Sequence, residues 1–422
     1  MNGVDICKAI FDTIRDLIND GAFREAYRIN KAFTRTRKLN FKNLLFYLLN
    51  SSKKSMAINI ADMIEKFSSI SFPDISKQAV SKARKGINPE AFAELFRISV
   101  MKFYQDTSLL RTWNGYHVCA IDGTSLQVPQ TERNLSSFGG AMNQNDSCCA
   151  LASVSICFDV LNDMVIDARI SSFCYGERKL AVMHMNQMEC YGLRPNTLLL
   201  FDRGYPSYEL YQEIQEKGLF FLMRTNSRTH ASIQEDSTFL YKPKEYEGVP
   251  VSLRIVHVIL QDGTVEKLVT NIFDPAITAE MFKELYFLRW GVESKYREFK
   301  NRLEIEEFSG CLPVSIRQDF YITIFLSNLA SIIKMQADLK IVEESIGKSN
   351  KYAYQANRGF IINRIHEYMV KILCGLYDAG RALEGIIKAA RRCLSQIQPE
   401  RTFSRKVKMT RRTHFCNQKS CL

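Results

Sequence analysis

Tyr286, Arg289, Glu293 and Lys300 stand at a Y-x2-R-x3-E-x6-K spacing within the segment YFLRWGVESKYREFK. On a continuous helix, which advances about 100° per residue, these positions fall within about 40° of one face. One carboxylate then stands among two cations and a phenol. Hard divalent cations take carboxylate oxygens, whereas phosphate oxygens take a bidentate guanidinium, an ammonium and a hydroxyl donor. Such a stripe suits metal-assisted chemistry on a phosphodiester. The same pattern also serves as a solvated helix face laced with i,i+4 ion pairs.

Two aspartates bear on that choice. In HVCAIDGTSLQVP, Asp122 follows a short apolar run and precedes a Gly-Thr pair, and in NTLLLFDRGYPSYEL, Asp202 ends the run from Leu198 to Phe201. Short apolar runs bounded by turn signals predict buried strands. Both aspartates are therefore expected at strand ends, where neighbouring carboxylates can share a metal. Read singly, Asp122 also suits a tight turn and Asp202 also suits a cap for a helix starting near Ser207.

The elements that must position these residues follow from periodicity. Residues 1–110 read as helical, with apolar spacing in FKNLLFYLLN and PEAFAELFRISVMKFY. Within them, Asp74 to Gly86 predicts a recognition-type helix with Ile75, Ala79, Val80 and Ala83 inward and Lys77, Lys82, Arg84 and Lys85 available for phosphate. From 116 to 171 the chain reads as three strands, YHVCAID, LASVSICFDV and DMVIDARIS, with Asn162-Asp163 as the last turn. The helix ERKLAVMHMNQM follows, then TLLLFD, SYELYQEIQEKG and LFFLM as strand, helix and strand.

Asp202 and Glu293 are 91 positions apart, too far for a simple strand-to-helix connection. The span 226–274, with VSLRIVHVILQ and TVEKLVTN around Asp262-Gly263, predicts a β-rich insertion built on a hairpin. After Glu293 the helix is expected to run through Leu303, and QDFYITIFLSNLASIIKMQ predicts a second, more apolar one. Residues 354–390 read as helical, followed by a flexible tail.

With these motifs in view, the chain resembles the DDE transposases of bacterial insertion sequences, in the insertion-sequence-four family that carries this Tyr-Arg-Glu-Lys spacing. FTRTRKLNFKNLLFYLL (33–49), ISKQAVSKARKGINPEAFAELF (75–96) and YGERKLAVMH (175–184) share in the likeness, which spans roughly residues 30–310. The resemblance implies Asp122, Asp202 and Glu293 as metal-binding catalytic acids. Tyr286, Arg289 and Lys300 become phosphate-handling residues, with Arg203 as a helper. It also implies two Mg2+ ions about 4 Å apart, with Mn2+ able to substitute. The implied partners are double-stranded DNA, as terminal inverted repeats and target, and a second copy of the chain in a synaptic homodimer.

The strand and helix order is that of an RNase H-like mixed sheet, as the resemblance also implies. The resulting expectation is an α/β chain: a helical DNA-binding region (1–110), an RNase H-like core in two parts (111–225 and 275–340), the β-rich insertion (226–274) and a helical C-terminal region with a basic tail (341–422). Related enzymes use such an insertion to hold transposon-end DNA, sometimes by stacking a flipped base. Phe239, Tyr241 and Tyr246 are the candidates here, with core packing as the alternative for each.

Composition is compatible with this reading. The 422 residues are 46% hydrophobic, enough for two to four domains, and 57 Lys plus Arg against 45 Asp plus Glu leave +12, which favours polyanionic partners. Ten basic residues and Glu400 alone among acids lie from Lys388 onward, so +9 of that charge sits at the C-terminal end. No membrane span is expected, because the apolar run near 320–333 is interrupted by Thr323, Ser327 and Asn328. The first residues mix acids and bases without an apolar core, so a cytoplasmic protein acting on DNA is expected. Its twelve cysteines then read as reduced; His414, Cys416 and Cys421 lack a fourth zinc ligand. No Gly-rich phosphate loop supports ATP use. Two other readings stay open: a catalytically silent DNA-binding descendant or repressor, and an RNase H-like nuclease that does not join ends.

Overall fold

The computed structural model describes residues 1–398 apart from 36, 69–71, 106, 143–147, 194, 226–229, 231, 232, 234, 261, 262 and 350. The chain begins with helices α1 (Gly3–Asn19), α2 (Gly21–Tyr27), α3 (Phe41–Asn50), α4 (Met56–Lys66), α5 (Lys77–Arg84) and α6 (Glu90–Gln105). Then come β1 (His117–Gln127), α7 (Glu132–Phe138), β2 (Gly140–Met142), β3 (Cys148–Asp159), β4 (Met164–Ser172), α8 (Glu177–Glu189), β5 (Thr197–Phe201), α9 (Tyr208–Glu216) and β6 (Phe220–Arg224). The strands β7 (Ser237–Tyr241), β8 (Val251–Ile259) and β9 (Val265–Thr270) precede α10 (Ala279–Phe287) and α11 (Trp290–Asn301). The chain continues through α12 (Pro313–Ser345), β10 (Ala353–Ala356), α13 (Arg358–Leu373), α14 (Ala379–Ala390) and β11 (Leu394–Ile397).

Two compact units result. The first takes the described residues of Met1–Leu110, Leu126–Ala152 and Phe299–Leu422; the second takes Arg111–Ser125 and Ser153–Glu298. The chain passes from the first unit to the second after Leu110, at the expected boundary, whereas positions 225, 274 and 340 fall inside a unit. The N-terminal helices and α12 to α14 share one core, whereas the expected insertion belongs to the same unit as the strands around it.

In the first unit α12 is the central element, packed by α1, α6, α13 and α14. A helix apolar on every side must be covered on every side. Phe320, Ile324, Phe325, Leu329, Ile332 and Ile333 are all buried, and burying each such side chain contributes roughly 1.5–3 kcal/mol. Polar residues in its middle, Ser327, Asn328 and Ser331 among them, are buried too. Ser331 Oγ and Ser327 Oγ accept from the buried Arg358 guanidinium at 2.9 and 3.2 Å. By length and composition α12 could cross a membrane, but 78% of its most apolar window is buried inside the unit, as a core helix requires. Pro313 starts it at a position where the missing N–H costs nothing.

The second unit is built on a mixed sheet in the order β3-β1-β5-β6-β9-β8-β7, with β4 on β3. β1, β5 and β6 are parallel; β9, β8 and β7 continue the sheet antiparallel. The β-rich span is therefore an extension of the main sheet rather than a separate hairpin. Gly263, with φ +80°, closes the β8–β9 turn, while Asp262 of the expected turn pair lies outside the described residues. α8 packs on β4 and α9; α9 and α10 both pack on β6 and β8. The expected succession of strands and helices is found, with α7 and β2 interposed between the first two strands.

One expected helix is two. The chain leaves the helix after Phe287, and α11 starts at Trp290 and ends at Asn301, two residues short of Leu303. The Cys/His residues near the C-terminus and the tail from 399 lie outside the described residues. The ten described cysteines are free thiols.

Candidate active site

β1 is apolar and buried from Val118 to Ile121. It pairs with β5 in a parallel register running from His117↔Thr197 to Ala120↔Leu200. Continued by two residues, that register sets Asp122 level with Asp202. Asp202 follows the last residue of β5, as expected. Asp122, however, lies within β1, which continues through Gln127, so the expected strand end is the end of its pairing with β5 and not of the strand. Nor does Asp202 cap α9: Ser207 does, accepting from Leu210 N–H.

Each aspartate is fixed by backbone. Asp122 Oδ1 accepts from Gly123 N–H at 2.9 Å, and its carbonyl accepts from Tyr296 Oη at 2.7 Å and Ser155 Oγ at 3.2 Å. Behind Ser155 runs a buried polar chain: His184 Nε2 stands 2.9 Å from Ser155 Oγ, His184 Nδ1 2.8 Å from Asp167, and Asp167 2.6 Å from Arg169 Nε. Asp202 Oδ1 accepts from Gly204 N–H at 2.6 Å in the turn after β5. Arg178, in the first turn of α8, donates to the carbonyls of Gly204 and Pro206 at 3.0 and 3.3 Å.

Arg289 sits in the break between α10 and α11 and links two of the acids. Its guanidinium is 3.1 Å from Glu293 Oε1 and 3.8 Å from Asp122 Oδ2. It also lies over the rings of Trp290 and Tyr286, 5.0 and 5.8 Å from their centroids. The helix break thus keeps Tyr286, Arg289 and Glu293 together.

Sequence reasoning missed Glu177. A Cβ built on Gly123 would meet its Oε1 at 2.8 Å, so the carboxylate lies against the backbone beside Asp122. The signal for it was the Glu-Arg pair opening α8, which is indistinguishable from the acid that any helix N-terminus favours. Tyr296, one turn beyond Glu293, was missed for a similar reason: its spacing also fits a core position.

The electrostatics are those of crowded acids. Asp122 is pushed up to about 6, first by burial and then by Asp202 and Glu177, against the lowering effect of Gly123 N–H and Arg289. Burial and Asp202 raise Glu177. Burial pushes the Tyr286 phenol up to about 12, so it is a hydrogen-bond donor at neutral pH. Tyr205 is also raised, by burial and by Glu177, Asp122 and Asp202; its hydroxyl is buried without a hydrogen-bond partner among the described residues.

No three His, Cys, Asp or Glu side chains among the described residues stand close enough to share an ion as they are arranged here. The donor chemistry nevertheless fits a hard cation. The donors are all carboxylate oxygens, they raise one another's affinity for protons, and Tyr205 Oη and Arg289 Nε are buried and unsatisfied beside them.

Lys300 is 3.9 Å from Glu306, whose Oε1 also accepts from Gln127 N–H. Arg203 is exposed, as are Lys77, Lys82 and Lys85 on or next to α5. Arg84 is a correction: it is 3% exposed, with Nη2 2.6 Å from Asp319 and Nε 2.6 Å from Gln318 Oε1. Its other nitrogen donates to Ser309 Oγ. It faces inward because Val80, one turn earlier, is buried on the same side, so it holds α5 to α12 and is not available to phosphate. Phe239 and Tyr241 form a ring cluster with His230 and Tyr211, and Tyr246 packs on Tyr208 with its hydroxyl on Glu209.

The family model "Transposase DDE domain" matches residues 113–329, half of the chain. The chain is 23% identical over 288 residues to "Transposase InsG for insertion sequence element IS4" of Escherichia coli (strain K12), across 64% of each chain. It thus spans less than two thirds of that relative's length. A cryo-EM structure of the piggyBac transposase synaptic complex with hairpin DNA aligns at a TM-score of 0.45 and 10% identity, over 91% of this chain and 82% of that one. The expected relationship to insertion-sequence-four transposases is borne out, and the chain belongs to the DDE transposase family.

Proposed function

We propose that this chain is a transposase that binds the ends of an insertion sequence, hydrolyses phosphodiester bonds there and joins the liberated 3′ ends to target DNA. The observation that carries this reading is the meeting of Asp122 and Glu293 on one guanidinium, with Asp202 level with Asp122 on the adjacent strand. The sheet order, with parallel central strands and an acid-bearing helix, supports an RNase H-like catalytic core.

Asp122, Asp202 and Glu293 would hold divalent cations, two Mg2+ or Mn2+ ions in this reading, whose chemistry would be to lower the charge on the attacking and leaving oxygens. The rest falls to the chain itself. Arg289, oriented by Glu293 and by two aromatic faces, holds the scissile or adjacent phosphate. Tyr286 remains protonated and donates a hydrogen bond to it. Lys300 and Arg203 supply further positive charge. Water attacks phosphorus and the 3′ oxygen leaves as a hydroxyl; that hydroxyl then attacks a target phosphorus, displacing another 3′ oxygen. Both steps are in-line displacements on a phosphodiester, so one constellation serves both.

The exposed lysines at 77, 82 and 85 and the basic C-terminal segment suit contact with the DNA backbone, and a homodimer would bring two ends together. The test is incubation of the protein and Glu293→Gln with Mg2+ or Mn2+ and labelled DNA carrying the element's ends. Metal-dependent cleaved and joined products that disappear in the variant support the reading. Cleavage without joining points to a nuclease, and binding without cleavage to a silent descendant.

A further inference from the structure

The first turn of α8 reaches the residue after Asp122 and the second residue after Asp202. Glu177 Oε1 crowds Gly123, next to Asp122, while Arg178 donates to the carbonyl of Gly204 in the Asp202 turn. One dipeptide therefore bears on both strand segments. Gly176, which precedes it at the helix N-cap, makes no side-chain cap, and Glu177 is directed at β1 instead. A second observation concerns a group that is not an acid. Tyr205, 1% exposed, lies in the field of Glu177, Asp122 and Asp202, and its hydroxyl has no partner among the described residues. A buried hydroxyl with no partner among the described residues, close enough to feel three carboxylates, is suited to a species that those carboxylates hold.

We propose that Glu177 is a fourth cation-binding carboxylate of this site, set in place by Gly123 and by the grip of Arg178 on the Asp202 turn. This rests on the reading of Asp122 and Asp202 as cation ligands. Charge favours it: Asp122, Asp202, Glu177 and Glu293 bring four negative charges, and Arg289 is the guanidinium in contact with two of them. Divalent cations would balance the remainder, and each added carboxylate oxygen strengthens the hold on a hard ion.

Titration of Mn2+ into the full-length protein by calorimetry, without DNA, tests this apart from activity. Glu177→Gln is expected to weaken Mn2+ binding by about 10- to 100-fold, the range for losing a group that supports a metal site. Gly123→Ala is the companion variant. It removes no acid, but its methyl must push Glu177 aside, so a comparable loss of affinity is expected. Asp122→Asn is the control, with circular dichroism to show that each variant is folded. If Asp122→Asn loses affinity while folded Glu177→Gln and Gly123→Ala keep it, the role of Glu177 is overturned and the reading of the site stands. If all three keep it, or the wild type binds no Mn2+, both fall together.

Discussion

The Tyr296 hydroxyl donates to the carbonyl oxygen of Asp122 across 2.7 Å, joining the helix that carries Glu293 to the strand that carries Asp122. Tyr296 is one turn from Glu293, so the bond fixes the rotation and depth of α11 against β1. The carboxylates need not find one another by chance. Their distance is set by a hydrogen bond between backbone and phenol, reinforced by Ser155 on the same oxygen.

Tyr296→Phe should therefore separate precision from stability. Losing one neutral hydrogen bond costs roughly 0.5–1.5 kcal/mol of folding stability, with Ser155 still serving the carbonyl. The effect on DNA cleavage should be larger, on the order of 10- to 100-fold, because a displacement of about 1 Å is costly in an active site. Denaturant unfolding and single-turnover cleavage measure the two. Equal small effects on both would remove the positioning role.

Asp122→Asn should stabilise the metal-free protein at neutral pH. In the folded chain Asp122 is pushed up to about 6 from an ordinary 3.8, mainly by burial. Between about pH 4 and 6 the folded state then binds more protons than the unfolded one, so stability falls as pH rises through that window and the deficit persists above it. That displacement corresponds to ~3 kcal/mol at the upper limit. Thermal melts should show a drop in Tm from pH 4 to 6 in the wild type that the variant lacks. A variant less stable than wild type at pH 7 without metal would contradict this.

Arg289→Lys keeps one positive charge but loses the planar fork that reaches Glu293 and Asp122 together and lies on Tyr286 and Trp290. Cleavage should fall on the order of 10²- to 10³-fold, as for removal of one preorganised donor at a reacting oxygen. Far-ultraviolet circular dichroism should be unchanged. Near-normal single-turnover rates in the lysine variant would show that the fork is not used on phosphate.

Arg84 and its lysine neighbours should behave in opposite ways. Removing Arg84 leaves Asp319 without its guanidinium, and Arg84→Met should cost about 3–5 kcal/mol in stability. A joint Lys77→Ala, Lys82→Ala and Lys85→Ala variant should leave Tm nearly unchanged but weaken DNA binding and reduce its salt dependence. Melting curves and binding isotherms at several salt concentrations distinguish the two groups. An unchanged salt slope in the triple variant would remove α5 from the DNA contact surface.

The sequence made some of this arrangement readable and hid the rest for physical reasons. Asp202 was visible because TLLLF is a short, wholly apolar run that ends on it. The end of β1 was not, because Gly123 and Thr124 are residue types common in turns, although the strand continues through them. Arg84 looked like a surface cation among lysines; its partners, Ser309 to Asp319, lie more than 220 positions away, beyond any local pattern. The break at Leu288 and Arg289 was also hidden, since both residues favour helices. Glu177 carried no distinguishing spacing and emerged only from its approach to Gly123.

The packing of α12 among α1, α6, α13 and α14 has a consequence for the history of the chain. A central helix walled by both early and late segments ties the two ends of the sequence to a common fate. Losing either wall would bare apolar surface along some 50 Å of helix, at about 1.5 Å per residue. A copy shortened at either end would then aggregate rather than persist as a smaller working version of the protein.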